Sequence, residues 1–385
     1  MEFGLTEEQT AIQDMATRFA RDRLAPLYQQ HEDDGGFTPG LAEELGGLGL
    51  LGAELPTEYG GSGVDSVTAG VIMEQLGWGD INFSYLPLLV SLLGDIVVKF
   101  AAPDLAARVV PKLCSGEEMI CLGLTEPGGG SDAANLRLTA RRDGDHYVLN
   151  GEKTSISCPA QSQWSVVLGR TGTPEDGARG VTGFLVAMDT PGISTTVFDD
   201  VGGRAVGRGS IFFDDVRVPA ANLLGVEGDG FRRVMAGFDY SRALIGLQVL
   251  GAARASLDET WEWVQQRKAF GQPIAKYQGI TEPLAVAETE LNAATLMCYQ
   301  ALWLRDQDRP HTAEAAMVKW YAPKVAFDCI HQCLLAHGHM GYSREFPHQQ
   351  RLRDVMGLQI GDGTAQIQKM IIAREKIGRI AVPYA

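Results

Sequence analysis

The stretch Gln359-Ile-Gly-Asp-Gly-Thr-Ala-Gln-Ile-Gln-Lys369 places one carboxylate, Asp362, between two glycines and ahead of a run with helical character. Flanking glycines let the backbone approach another molecule closely. The hydroxyl of Thr364 and the amide of Gln366 add hydrogen-bonding groups that suit a polar cofactor. The pattern predicts an exposed carboxylate presented to a ligand, although a helix N-cap aspartate on a solvated turn explains an isolated Asp-Gly-Thr more simply.

Length and composition bound the class of protein. A chain of 385 residues exceeds one ordinary core and predicts two or three domains. The net charge of −15 argues against nucleic acid or an anionic membrane as the main partner. There is no apolar run long enough to span a membrane, and the acidic start resembles no targeting segment, so we expect a cytoplasmic protein. The six cysteines show no Cys-x-x-Cys spacing and are expected to be reduced and mostly buried.

The order of patterns along the chain predicts three domains. The capping-box pattern Thr6-Glu-Glu-Gln9 opens an amphipathic helix, and glycine-rich turns and two longer helices over 68–100 complete an all-helical domain at residues 1–118. Residues 119–228 carry short apolar runs bounded by turn residues, which predict a small β domain with strands at 147–150, 164–168, 183–187 and 210–213. Residues 229–385 return to helical spacing, and the predicted helices are 232–266, 278–306, 312–337 and 363–380.

Two motifs outside the Asp362 stretch can bind phosphate or an aromatic ring. Backbone N–H groups of the glycine-rich loop Leu124-Thr-Glu-Pro-Gly-Gly-Gly-Ser-Asp132 can face a phosphate or a heteroaromatic edge, although the loop matches neither a P-loop nor a dinucleotide fingerprint. The segment Arg267-Lys-Ala-Phe-Gly-Gln-Pro-Ile274, with Gln278, combines a cation, an aromatic ring and a tight turn that can hold a pyrophosphate and stack on a base. A surface turn and a helix C-cap are the simpler explanations of the two motifs.

Other polar clusters carry less information. Asp239 and Arg242 lie one helical turn apart, which is most often only a salt-bridged helix face. No metal site is predicted, because no carboxylate or cysteine completes a ligand set with the four histidines His331, His337, His339 and His348. There is no Ser-His-Asp or Gly-x-Ser-x-Gly pattern for a serine nucleophile.

Taken in order, these motifs resemble those of the acyl-CoA dehydrogenase flavoproteins, and the resemblance covers essentially the whole chain. The order of the motifs makes the resemblance specific. The matching segments are Leu51-Gly-Ala-Glu-Leu-Pro-Thr-Glu-Tyr-Gly-Gly-Ser-Gly63, residues 125–132, Phe213-Asp-Asp-Val-Arg-Val-Pro219, residues 267–278, and Arg353-Asp354 followed by residues 362–366.

The resemblance implies an α+β fold with an N-terminal helical domain, a β-barrel-like middle domain and a C-terminal four-helix bundle. FAD is expected between the β domain and the bundle, completed by a neighbouring subunit of a homotetramer. The implied partners are an acyl-CoA substrate and an electron-transfer flavoprotein as electron acceptor. Asp362 is the implied catalytic base. The implied FAD contacts are Thr125, Ser131, Ser157, Gly338, Thr364 and Gln366, with Arg267, Phe270 and Gln278 reaching the FAD of another protomer. The implied substrate contacts are Ser131, Asp239, Arg242, Gly361 and Gly363.

The implied reaction is removal of a thioester α-proton by Asp362 and transfer of a β-hydride to flavin N5. An α-proton is far less acidic than a carboxylic acid, so preorganised donors must stabilise the developing enolate charge. In the family these donors are a backbone N–H at the base and a ribityl hydroxyl of the flavin. Bound substrate removes water and raises the pKa of the base toward that of its proton donor.

Three positions depart from the family pattern in one direction. Asp362 stands where straight-chain enzymes usually have Glu, which shortens the arm by about 1.5 Å. Gly361 replaces a bulky residue, often Tyr, and Ser155 replaces a Trp beside the flavin in many members. The smaller side chains favour a ring or an α-branched acyl group, as in members acting on alicyclic carboxyl-CoA thioesters of the cyclohexanecarboxyl-CoA type. Neighbouring side chains that refill the space are the alternative explanation.

The sequence leaves several points open. Leu335 and His339 replace the Gln and second Gly of a family segment that contacts the partner's FAD, so the pattern is broken around Gly338. A nitroalkane-oxidase-like or other oxygen-using flavoenzyme of the same fold remains an alternative, because the former also uses Asp as its base. A non-catalytic ligand-binding member is a third reading, against which the carboxylate at position 362 argues. Which acyl-CoA is used, whether elimination is 1,2 or 1,4, and the physiological electron acceptor are undecided.

Overall fold

The computed structural model describes residues 4–382. The first three and last three residues of the predicted terminal domains lie outside this range. Helices occupy the N-terminal and C-terminal thirds and a sheet the middle, which confirms the predicted mixed helical and sheet fold. No helix within residues 4–382 has the length and apolar character needed to cross a membrane.

The N-terminal region is built from short helices around a leucine-rich core. The predicted capping box is present: the Thr6 hydroxyl accepts a hydrogen bond from the backbone N–H of Gln9, and the Gln9 side chain accepts one from the backbone N–H of Thr6, both at 3.1 Å. A π-helical segment joins the fifth and sixth helices, so Tyr85 to Phe100 form one continuous helix. It follows the long fourth helix, and the two correspond to the two longer helices predicted over 68–100. The helices are α1 Glu7–Phe19, α2 Tyr28–Asp34, α3 Leu41–Gly47, α4 Ser66–Gly79, α5 Tyr85–Leu89, α6 Asp95–Phe100 and α7 Pro103–Ser115.

Seven strands of the middle region form one curled sheet. They are β1 Ile120–Gly123, β2 Thr139–Asp143, β3 His146–Ile156, β4 Trp164–Arg170, β5 Val181–Ala187, β6 Ile193–Val197 and β7 Gly209–Pro219. β4 pairs with β5 along one edge and with β1 and β2 along the other. From β2 the sheet continues through β3 and β7 to β6. In the described part of the chain β6 pairs only with β7, so the sheet is curled but open.

The four predicted strands lie inside β3, β4, β5 and β7. β1, β2 and β6 were not predicted. β1 is only four residues long, and β2 and β6 are largely exposed, so neither shows the alternation of apolar and polar residues that identifies a half-buried strand.

Long helices form the C-terminal region around a central one. They are α8 Gly230–Gln266, α9 Gln278–Asp306, α10 Thr312–His337, α11 His339–Tyr342, α12 His348–Gly357 and α13 Ala365–Ile377, with a two-stranded hairpin of β8 Lys268–Ala269 and β9 Gln272–Pro273. α10 packs against α8, α9, α12 and α13. The predicted bounds of α9 and α10 are confirmed, whereas α12 was not predicted and α13 ends at Ile377.

A buried carboxylate joins the three regions. Asp354 of α12 accepts hydrogen bonds from the Tyr28 hydroxyl at 2.6 Å, from Asn82 Nδ2 at 2.8 Å and from the backbone N–H of Gly203 at 2.7 Å. Burial raises the pKa of Asp354 to about 6. Since two donors come from the N-terminal region, one on α2 and one in the turn before α5, and the third from a loop of the sheet, Asp354 fixes α12, and the turn that follows it, relative to both regions.

Candidate active site

Asp362 lies in the turn between α12 and α13. It adopts a left-handed conformation, φ 55°, and Gly363 follows with φ 93°. The cap of α13 is Thr364, whose hydroxyl accepts a hydrogen bond from the backbone N–H of Ile367 at 3.4 Å. The N-cap explanation of Asp362 is therefore wrong. Its carboxylate accepts no hydrogen bond from any other residue in the range 4–382.

The turn is held from within by Gln368. This buried side chain donates from Nε2 to the backbone carbonyls of Asp362 and Gly363, both at 3.2 Å. A Cβ atom on Gly363 would overlap Gln368 Nε2. A glycine at position 363 is therefore needed both for its backbone conformation and for space.

The Asp362 carboxylate is half-buried, not exposed as predicted. Burial raises the pKa of Asp362, and the positive charges of Lys319 and Arg242 oppose this rise. The structure thus places a carboxylate of enhanced basicity where two cations still favour its ionised form.

Arg242 of α8 is buried beside its predicted neighbour Asp239. Its Nη1 donates to Asp239 Oδ1 at 2.8 Å, and the Thr312 hydroxyl donates to Asp239 Oδ2 at 2.6 Å. The predicted salt bridge between Asp239 and Arg242 on one helix is present. The charge of nearby Asp362 also acts on Arg242. Burial lowers the pKa of Arg242, and its Nε is buried without a hydrogen-bond partner in residues 4–382.

Lys319 of α10 was not predicted as a site residue. It is 1% exposed and its Nζ donates to the backbone carbonyl of Leu358 at 2.7 Å, at the end of α12. Burial lowers the pKa of Lys319 to about 8, against the attraction of Asp362. No motif around Lys319 indicated a functional role. In the structure the neighbouring Ala315, Ala316 and Ala322 are also buried.

The glycine-rich loop lies beside the end of β3. The backbone N–H of Thr154 donates to the carbonyl of Thr125 at 2.8 Å, which brings Thr125 toward Ser157. Ser155 and Cys158 have φ values of 58° and 56°, so the strand is irregular at this point. The hydroxyls of Thr125 and Ser157 are half-buried and form no hydrogen bond within residues 4–382.

Tyr85 of α5 is near the Asp362 turn. Burial raises the pKa of the Tyr85 phenol, and the nearby groups that raise it further are Asp362, Asp354 and Cys158. The sequence analysis missed Tyr85, because an aromatic residue in an apolar helix is normally part of the core.

The remaining predicted residues divide into two groups. Thr364 and Gln366 follow Asp362 directly on α13, and Ser131 is exposed near the end of the glycine-rich loop. Arg267, Phe270 and Gln278 are exposed on the β8–β9 hairpin and at the start of α9. Arg267 follows Arg242 by about seven turns of α8, roughly 37 Å along its axis.

Gly338 is also distant from the Asp362 turn. It is exposed at the C-terminal end of α10, roughly 28 Å along that helix from Lys319. Within one chain, neither the hairpin nor Gly338 reaches Asp362.

The cysteines are all buried free thiols, as predicted. Two of the four histidines of the sequence cluster, His337 and His348, have their Nε2 atoms 3.3 Å apart, and burial lowers the pKa of both. Among residues 4–382, no group of three His, Cys, Asp or Glu side chains could hold a metal ion.

Comparisons with known proteins match all three regions of this fold. The chain matches the acyl-CoA dehydrogenase N-terminal domain over residues 6–117, the middle domain over 121–216 and the C-terminal domain over 228–377. It is 36% identical over 378 residues to a probable acyl-CoA dehydrogenase of Bacillus subtilis (strain 168), YngJ, which covers 97% of this chain and 99% of that protein.

Solved structures of acyl-CoA dehydrogenases superpose on nearly the whole of this fold. Butyryl-CoA dehydrogenase from Megasphaera elsdenii superposes with a TM-score of 0.94 at 30% identity, covering 98% of this chain and 100% of that one. A glutaryl-CoA dehydrogenase from Mycobacterium smegmatis in complex with FADH2 superposes with a TM-score of 0.91 at 27% identity, covering 97% of this chain and 95% of that one.

The fold and the site define a flavin-dependent oxidoreductase. The chain belongs to the acyl-CoA dehydrogenase family, whose members bind FAD and dehydrogenate acyl-CoA thioesters. The residues present fit that cofactor, since the hydroxyls of Thr125, in the glycine-rich loop, and of Ser157, just after β3, form no hydrogen bond within residues 4–382 and can bond a polar group.

Proposed function

We propose that this enzyme removes the α-proton of an acyl-CoA thioester with Asp362, and that its acyl group is cyclic or branched, of the cyclohexanecarboxyl-CoA type. The observation that carries the proposal is the state of the Asp362 carboxylate. It is held in a rigid turn, half-buried, unbonded to the rest of residues 4–382, and faced by two cations. A carboxylate in this state is free to accept a proton from a ligand.

The surroundings of Asp362 suit a strong proton acceptor. The raised pKa of Asp362 is closer to the pKa of a thioester α-proton than that of an ordinary Asp is. Entry of substrate would remove further water from the carboxylate and raise its pKa more. Arg242 and Lys319 favour the ionised form that must be present before the proton is taken. FAD, when bound, accepts the hydride that leaves the β-carbon.

Space beside Asp362 supports the cyclic or branched substrate. A Cβ atom built on Gly361 meets nothing closer than the backbone oxygen of Gly357 at 3.6 Å, so the position next to Asp362 is open at the Cβ atom. Ser155 is exposed. A ring would fill this space and bring its α-proton to the short Asp362 arm, whereas a thin chain would leave contacts unmade.

The exposed hairpin supports a homotetramer in which protomers complete one another's FAD sites. Phe270 is 97% exposed at the tip between β8 and β9, with φ 50°. An aromatic side chain this exposed to solvent is typical of an interface anchor. Arg267 and Gln278 flank it and cannot reach the Asp362 turn of their own chain, so we assign the three to a neighbouring FAD.

The other parts of the proposal follow the family resemblance. One of them is an electron-transfer flavoprotein as acceptor. The cytoplasmic location and the domain boundaries at 118/119 and 228/229 are instead proposed from the sequence patterns. Contacts of Ser131, Thr364 and Gln366 with FAD, and of Asp239 and Gly363 with substrate, belong to the same proposal.

The test is anaerobic flavin bleaching with a panel of CoA thioesters. Cyclohexanecarboxyl-CoA and isobutyryl-CoA should reduce the flavin faster than butyryl-CoA and octanoyl-CoA, judged by kcat/KM. The reasoning about the pocket is refuted if octanoyl-CoA is the best substrate. A nitroalkane-oxidase-like activity would appear instead as oxygen consumption with a nitroalkane and no bleaching by any thioester.

A further inference from the structure

We infer that Lys319 is a positioning residue for the reaction: its buried ammonium holds the start of the turn that carries Asp362 and keeps the Asp362 carboxylate ionised until substrate binds. This inference rests on the proposed function, since it gives Lys319 a task only if Asp362 is the base.

The position of Lys319 is unusual for its side chain. A lysine is almost never fully buried without a partner, because removing the ammonium from water is costly. Here Lys319 is 1% exposed, and its single hydrogen bond within residues 4–382 is to the carbonyl of Leu358, at 2.7 Å. Leu358 is the C-cap of α12, four residues before Asp362. The ammonium therefore fixes the backbone from which the Asp362 turn begins.

A simpler role would be to satisfy a carbonyl at a helix end. That role needs only a hydrogen-bond donor, and a cation beside a helix C-terminus gains a modest dipole interaction. Neither accounts for burying a full charge in the middle of α10. The charge of nearby Asp362 favours the ammonium form of Lys319 without a direct ion pair, whereas the charge of Arg242 disfavours it. The carboxylate beside Arg242 is already engaged, because Asp239 accepts from Arg242 at 2.8 Å and from Thr312 at 2.6 Å.

The groups that set the charge state of this site come from several helices. The charged or titratable side chains facing Asp362 or its two cations are Tyr85 on α5, Asp239 and Arg242 on α8, Lys319 on α10 and Arg374 on α13. Tyr85 stays neutral because burial raises its pKa, and Arg242 is paired with Asp239. Of the two cations, Lys319 has no carboxylate other than Asp362 acting on it, so its removal should change the ionisation of Asp362 more than a change at the paired Arg242 would.

The test compares the pH dependence of kcat/KM in holoenzyme variants. Lys319→Gln keeps a hydrogen-bond donor without the charge, and Lys319→Met removes both. In each variant the acid limb should move up by about one pH unit, which lowers kcat/KM about tenfold at a pH below the limb. Lys319→Arg, which restores the charge, should bring the limb back toward that of the wild type.

The matched control is Lys324→Met, on the same helix. Lys324 is exposed and pairs with Asp328 at 2.7 Å, so its loss should leave the acid limb in place. Lys319→Met should also lower kcat more than Lys319→Gln does, because only Gln can still donate to Leu358.

Each outcome decides the inference. If both neutral variants fold, retain FAD and keep the wild-type acid limb, the charge of Lys319 has no task in the reaction. If neither variant folds, Lys319 serves stability alone and the inference is equally overturned. Asp362→Asn, measured beside them, separates this from failure of the proposed function: substantial flavin reduction in that variant would show that Asp362 is not the base at all.

Discussion

Replacing Gly363 by alanine should slow flavin reduction without unfolding the protein. Gly363 has φ 93°, a conformation that a residue with a Cβ atom adopts only with strain. The new methyl group would overlap Gln368 Nε2, so that side chain must move. Its two hydrogen bonds to the carbonyls of Asp362 and Gly363 would then be lost.

Three contributions set the size of the effect: the backbone strain at position 363 and the loss of the two hydrogen bonds. Backbone strain contributes about 1–2 kcal/mol, and each of the two hydrogen bonds about 0.5–1.5 kcal/mol. The sum is about 3 kcal/mol against the native turn. If the reaction requires the native turn, the rate constant for flavin reduction should fall roughly a hundredfold. The same factor is expected from displacing a catalytic group by about 1 Å.

The assay is anaerobic stopped-flow reduction of the flavin by a cyclic acyl-CoA, with FAD content and thermal unfolding measured on the same sample. The matched control is Gly357→Ala. Gly357 lies at the end of α12, its φ is not positive, and a Cβ atom there meets nothing within 4 Å. Equal rates for the Gly363→Ala and Gly357→Ala enzymes would refute the argument that Gly363 and Gln368 set the position of Asp362.

Other substitutions test the base, the pocket and the interface. Asp362→Asn should fold and keep FAD but lose several orders of magnitude in flavin reduction, since an amide has the carboxylate's shape without its basicity; a near-normal rate would place the base elsewhere. In the wild type, kcat/KM should fall as pH drops through the raised pKa of Asp362, so a titration of activity should show its acid limb above pH ~4, the ordinary value for Asp. Gly361→Tyr should lower kcat/KM for cyclohexanecarboxyl-CoA more than for butyryl-CoA, and equal losses would contradict the shape argument. Phe270→Ala should weaken both the tetramer and FAD retention in size-exclusion chromatography, whereas an intact yellow tetramer would remove Phe270 from the interface.

The sequence predicted the fold best where apolar residues repeat at a regular spacing over a long segment. The bounds of α9 and α10 were correct because their apolar residues repeat over many turns, and α12 was missed because it is short and largely polar. The strands β2 and β6 escaped because they are largely exposed, which removes the alternation that marks a half-buried strand.

The candidate site was predicted only in part, for a physical reason. Motifs identified Asp362 and Arg242 as candidates, because their neighbours in sequence form recognisable patterns. Lys319, Gln368 and Tyr85 were missed because each acts through contacts with residues distant in the chain or with backbone atoms. The degree of burial of Asp362 was also wrong, because desolvation depends on α8 and α10, which local sequence does not reveal.

The three hydrogen bonds to Asp354 also bear on how the molecule is made. A ribosome synthesises the chain from its N-terminus, and early segments begin to fold while later ones are still missing. Tyr28, Asn82 and Gly203 emerge long before Asp354, so their donors must wait in water for an acceptor. Docking of the helices and the sheet through Asp354 is therefore a late step that follows synthesis of residue 354, and a nascent chain stalled shortly before residue 354 should resist protease far less than the released protein.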